Sequence, residues 1–207
     1  MSHQKLMLAK NVAWAADMIR RDADFFTRIS KIQNPETLWI GCADSRVPAE
    51  KITVSLPGEL FVHRNIANLV CTDDTNAASV IEYAVKVLKV RHIVVCGHYG
   101  CGGVRAALMP LDPDLPAVNR HLQPLRELAA RHATTLLSCD SFDARVDRFA
   151  EINVQHQLTA LRRMPVIRTA EQALTLHGWI FSLEDGRLQV LPQDSAPTQP
   201  IAAIKFA

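Results

Sequence analysis

The chain has no surplus of one charge, no long uncharged apolar run, no disulfide-like cysteine spacing and no internal repeat. Lysines and arginines number 23 against 21 acidic residues, a formal net charge of +2. The basic residues are dispersed, which argues against a dedicated nucleic-acid surface. Leu6-Met7-Leu8-Ala9 is too short an apolar run for a signal-peptide core. No segment has the length of uncharged apolar sequence that a bilayer span needs, so no membrane partner is expected. The five cysteines, Cys42, Cys71, Cys96, Cys101 and Cys139, are odd in number and show no pairing pattern. Free thiols in a reducing cytoplasm are the expectation. What is present, 207 residues with 48% apolar content, fits one domain over residues 1–207 with a substantial core.

Two stretches organise the rest. Leu38-Trp39-Ile40-Gly41-Cys42 runs into Ala43-Asp44-Ser45-Arg46, and Ile93-Val94-Val95-Cys96-Gly97 runs into His98-Tyr99-Gly100-Cys101. Each begins as a buried parallel strand does, apolar and β-branched, then breaks into small and polar residues. The loops offer Cys42, Asp44, His98 and Cys101, ligand types that zinc prefers and four in number, enough for a tetrahedral shell. One parallel sheet brings two such loops to its carboxyl edge, where ligands of open α/β sheets collect. A shell closed by all four does no chemistry, because catalysis needs a position for water. Arg46 stands two residues after Asp44 and offers its carboxylate an alternative, bidentate partner, so Asp44 is the exchangeable ligand.

Taken in order, residues 4–33 read as helical with a break near Asp22-Ala23-Asp24. Pro48 suits the first position of a short helix through about Val54, and residues 60–64 form a second strand containing His63, read as structural. From Asp73 a helix follows, capped by Asp73, Asp74 or Thr75, with Ala77, Val80, Ile81, Ala84, Val85 and Leu88 on one face. Its exit leads directly into the strand at Ile93, making a right-handed parallel crossover. Gly102-Gly103 opens a helix from Val104 to Met109 whose first amides favour an anion near the metal. Residues 117–137 and 141–163 read as two amphipathic helices without chemical motifs. A strand over residues 174–181 turns at Glu184–Arg187 into a hairpin partner over residues 188–191, and a polar, proline-bearing tail ends the chain.

Cys42-Ala-Asp-Ser-Arg-Val-Pro48, Glu59-Leu-Phe-Val-His-Arg-Asn-Ile-Ala-Asn68 and Gly97-His-Tyr-Gly-Cys-Gly-Gly-Val104, in that order, closely resemble the β-class carbonic anhydrases. The match is tight over residues 30–110 and looser around His177-Gly178-Trp179. The resemblance implies an α/β fold with a mostly parallel central sheet, flanking helices and an N-terminal helical arm, residues 1–33, that packs on a partner subunit in a homodimer or homotetramer. It implies one zinc ion per subunit and reversible hydration of carbon dioxide to bicarbonate and a proton through a zinc-bound hydroxide, which Asp44 and Arg46 orient. Gln33 matches a glutamine that reaches the partner's site, and Phe61 and Tyr83 match residues lining a narrow substrate pocket, which Gly102 borders. Trp39 and Arg64 match two members of a bicarbonate regulatory pocket found in a bacterial subset; Phe181 falls where that pocket has a tyrosine, so a hydroxyl donor is missing. Two other functions are compatible with the residues: hydrolysis of carbon disulfide or carbonyl sulfide on the same fold, and a non-catalytic structural zinc protein.

Overall fold

In the computed structural model, residues 2–71 and 74–192 are described. Helices α1 (His3–Arg21) and α2 (Phe25–Ile29) lead into β1 (Thr37–Cys42), α3 (Ala49–Ile52) and β2 (Leu60–Asn65). Then come α4 (Thr75–Glu82), β3 (His92–His98), α5 (Gly102–Ala107), α6 (Pro116–His121), α7 (Gln123–Arg131) and α8 (Ala133–Leu137). The long α9 (Phe142–Arg163), α10 (Pro165–Arg168), β4 (Thr175–Phe181) and β5 (Leu188–Val190) complete the order.

The five strands form one sheet in the order β2-β1-β3-β4-β5. The first four are parallel, and β5 returns antiparallel along β4 as the hairpin spacing predicts. Leu38, Ile40, Ile93, Val95 and Ile180 are fully buried, so the apolar runs are central strands covered on both faces. Chain order reverses at β1: the chain leaves it toward β2 on one side and resumes with β3 on the other. That reversal opens a crevice between the carboxyl ends of β1 and β3.

The helical patterning is borne out with refinements. Ser141 caps α9, its hydroxyl accepting from Ala144 N at 3.0 Å, and Val146, Phe149, Val154, Leu158 and Leu161 form the buried stripe. Asp74 caps α4 by accepting from Asn76 N at 2.9 Å; Asp73 lies outside the described residues. The apolar face runs on through a wider turn at Tyr83–Val87, where Ala84 and Val85 are buried. Pro48 is the cap residue before α3 rather than its first helical residue, and the helix ends at Ile52. The single helix expected over residues 117–137 is three, α6, α7 and α8. Pro124 lacks the N–H that would continue α6 and its ring clashes with the preceding turn, so a new helix starts around it. The tail from residue 193 lies outside the described residues. The N-terminal arm breaks at Asp22, as expected, but its second helix ends at Ile29 rather than running to residue 33, and α1 buries none of its residues. Leu6, Val12, Trp14 and Ile19 are exposed.

Candidate metal centre

Cys42 ends β1 and His98 ends β3, and a three-residue step from His98 brings Cys101 to the start of α5. Their ligand atoms lie within 4.8 Å of one another, and all three residues are buried. The two sulfurs are 3.8 Å apart. Two thiolates at the usual zinc distance and tetrahedral angle stand about 3.8 Å apart, so the pair is already spaced for one ion. His98 Nδ1 is 2.9 Å from Tyr99 O and must be the donor, because a carbonyl only accepts. That leaves Nε2 with its lone pair, fully buried and without a hydrogen-bond partner. An unsatisfied buried nitrogen costs on the order of 1–3 kcal/mol, a cost that a metal ion between it and the two sulfurs removes. The residues present therefore fit zinc.

The thiols are prepared for this. Cys42 is pulled down to about 4, first by the hydrogen bond from Cys101 and also by the backbone N–H groups of Asp44 and Ala67, against the opposing effect of burial. Cys101 is pushed up by that same bond and by burial, while the N–H groups of Val104 and Gly103 pull the other way. One proton is shared between two sulfurs, and a cation replaces it.

Asp44 does not join the cluster. Its Oδ1 accepts from Arg46 Nε at 3.0 Å and from Arg46 N at 2.9 Å, and its Oδ2 accepts from Arg46 Nη2 at 2.7 Å. The Arg46 guanidinium holds the carboxyl well below the usual carboxylate range. Oδ2 is nevertheless 3.8 Å from His98 Nε2, within one side-chain rotation of the metal position. Of four candidate ligands the structure thus gathers three and sets the fourth on its arginine. Arg64, expected near a regulatory pocket, donates from Nε to Cys42 O at 2.7 Å and from Nη2 to Asp44 O, clamping the backbone of the loop. Trp39 is buried edge-on against Trp179, their ring centroids 5.9 Å apart, and Phe181 is buried at the end of β4, opposite His98.

A buried network holds the neighbouring turn. Asn153 on α9 donates to Ala67 O at 2.8 Å and accepts from Gln157 Nε2 at 2.7 Å, while Gln157 Oε1 accepts from Val70 N at 2.9 Å. Gly103 lets α5 press against this turn, since a Cβ there would sit 2.5 Å from Ile66 Cγ2. Gly102 follows Cys101 directly as the first residue of α5 and is exposed. Phe61 and Tyr83 do pack together, ring centroids 5.8 Å apart, but not at this chain's own metal position. Phe61 pairs with Leu38, four strand residues or roughly 13 Å before Cys42. Gln33 is exposed in the connection into β1. Asn153, Gln157, Asp147 and Glu151, which hold the site's loops, carried no motif that sequence reasoning could use; Tyr99 lies within the quoted Gly97–Val104 motif, but its contact with Glu151 does not show there.

The crevice, its sulfur–nitrogen cluster and the arginine-held carboxylate define a zinc-site α/β protein. The family model described as carbonic anhydrase matches residues 37–188. A carbonic anhydrase of Emericella nidulans is 43% identical over 196 residues, 93% of this chain and 85% of that protein. The crystal structure of the β-carbonic anhydrase CafA of the fungal pathogen Aspergillus fumigatus superposes with a TM-score of 0.90 at 41% identity, covering 94% of this chain and 93% of that one. One of two tetrameric β-carbonic anhydrases from Sordaria macrospora gives 0.88 at 41% identity, covering 93% and 98%. The chain belongs to the β-class carbonic anhydrase family, zinc enzymes that hydrate carbon dioxide.

Proposed function

We propose that Cys42, His98 and Cys101 hold the catalytic zinc and that Asp44, kept off it by Arg46, leaves the fourth position for water. The observation that carries this is the unpartnered Nε2 of His98 facing two sulfurs while Asp44 is occupied elsewhere. Held by these three residues, zinc would supply Lewis-acid activation of water, weaker than in a three-histidine site, where the water's pKa is about 7, because two of the ligands are thiolates. Asp44 stays ionised throughout the working range, because its carboxyl is held down by Arg46. Its Oδ2 faces the site and accepts the proton side of the attacking water, orienting the oxygen toward carbon dioxide. The proton released on hydration leaves to solvent. A permanently four-liganded structural site is disfavoured by the same geometry, since the carboxylate it would need is bonded to Arg46.

Gln33, Phe61 and Tyr83 serve the site of a neighbouring subunit, which their distance from this chain's own metal position supports. The exposed apolar residues of α1 support an arm that packs on that neighbour in a dimer or tetramer. The missing hydroxyl at Phe181, with Arg64 already clamping the loop, supports weaker bicarbonate binding at Trp39 and Arg64 than in a tyrosine-bearing relative. The five uncrosslinked thiols support a reducing, cytoplasmic location; among the described residues no helix is long and apolar enough to cross a membrane.

Stopped-flow hydration of carbon dioxide tests the reading. The expected result is a rate that climbs as pH rises from about 7 to 9 and disappears on chelation. Asp44 is no source of this climb, because a carboxyl with a depressed pKa is already ionised below that window. A rate unchanged from pH 6 to 9 or indifferent to chelator contradicts it. Light scattering on the same sample, expected at a multiple of the 23.0 kDa chain, checks the assembly.

A further inference from the structure

A single peptide unit, between Tyr99 and Gly100, stands between His98 and the long helix α9. Its carbonyl accepts from His98 Nδ1 at 2.9 Å, and its N–H donates to Asp147 Oδ1 at 2.7 Å. Carboxylate, peptide and imidazole are therefore in series. The peptide plane is fixed from both sides: Tyr99 N donates to Phe181 O at 3.0 Å, and Tyr99 Oη donates to Glu151 Oε1 at 2.9 Å. Glu151 is itself paired with Arg148 at 2.7 Å. Gly100 has φ +63°, a conformation that turns its N–H toward α9 and that other residues adopt only with strain.

Metal-binding histidines commonly donate their second ring N–H to a carboxylate, which fixes the tautomer and strengthens the ring as a ligand. Here the amide is interposed. An anionic acceptor on the N–H draws charge through the delocalised peptide onto its carbonyl oxygen, which becomes the better acceptor for the imidazole N–H. We infer that Asp147 is a positioning residue acting on His98 through the Tyr99–Gly100 peptide, holding Nε2 toward the metal and raising its donor strength. This rests on His98 being a zinc ligand.

Asp147→Asn keeps an acceptor oxygen for Gly100 N and removes only the charge, so the fold is not at stake. Asp143→Asn is the matched control: it removes a charge from the same helix, but Asp143 accepts from Arg105 at 2.6 Å and touches no part of the peptide. Both are made in the full chain, and zinc affinity is read by competition with a chromophoric chelator alongside the visible absorption of the cobalt-substituted protein. Asp147→Asn is expected to bind zinc about tenfold more weakly and to shift the cobalt bands, with Asp143→Asn unchanged. Wild-type affinity and spectrum in Asp147→Asn, or an equal loss in both variants, overturns the inference. If zinc affinity in the wild-type background survives His98→Ala, the ligand assignment itself has failed; if it falls there but not in Asp147→Asn, only the relay has.

Discussion

His98→Ala is expected to abolish carbon dioxide hydration and to weaken zinc binding about a hundredfold. Structural zinc sites in small peptides bind with roughly 10–16 kcal/mol over four ligands, so one ligand is worth about 3 kcal/mol, or a factor near a hundred. His98 is fully buried, and nothing nearby replaces it: His63 sits on β2 with its Nε2 3.2 Å from Asn65 Nδ2, engaged in its own contact. The truncation also leaves a cavity between β3 and the metal loop, so thermal stability is to be recorded beside metal content. Metal analysis and stopped-flow kinetics on one preparation check the result. Stoichiometric zinc and near-normal turnover would falsify the assignment of the site.

Arg46→Ala is expected to lower turnover by about two orders of magnitude while zinc stays bound. The arginine supplies two side-chain hydrogen bonds to a carboxylate that lies 3.8 Å from His98 Nε2. Without it the Asp44 carboxylate loses its cation and turns toward the metal, taking the position that water needs. Orientation of a reacting group is typically worth about 10² in rate, which sets the size of the loss. Arg46→Lys restores little, because an ammonium cannot engage both carboxylate oxygens in one plane. Retained metal separates this outcome from that of His98→Ala. An Arg46→Ala protein with wild-type turnover shows that Asp44 stays clear of the metal unaided.

Whatever the chain states locally was legible in the sequence. The strands were visible because central parallel strands are apolar on both faces, and Cys42, His98 and Cys101 because they follow those strands directly. The Asp44–Arg46 pair was visible because the two residues share one short loop. Features that depend on distant partners were not. Arg64 matches a regulatory arginine by position, yet its reach to Cys42 O is set by the register of β1 on β2. Asp147 meets Gly100 across 47 residues of chain, and no spacing rule announces that contact. Similarly, the period of residues 117–137 is helical throughout, yet the clash at Pro124 divides α6 from α7 and a non-helical His132 divides α7 from α8.

The placement of the sulfur atoms also sorts them for chemical modification. Burial and the charge of Cys42 push the Cys96 thiol up, and it donates to Gly97 O at 3.3 Å, so an alkylating reagent finds it inert. Cys71 and Cys139 are the partly exposed thiols. Intact-mass labelling of the zinc-loaded enzyme with a maleimide should therefore stop at two adducts, and the count should rise only as a chelator uncovers Cys42 and Cys101.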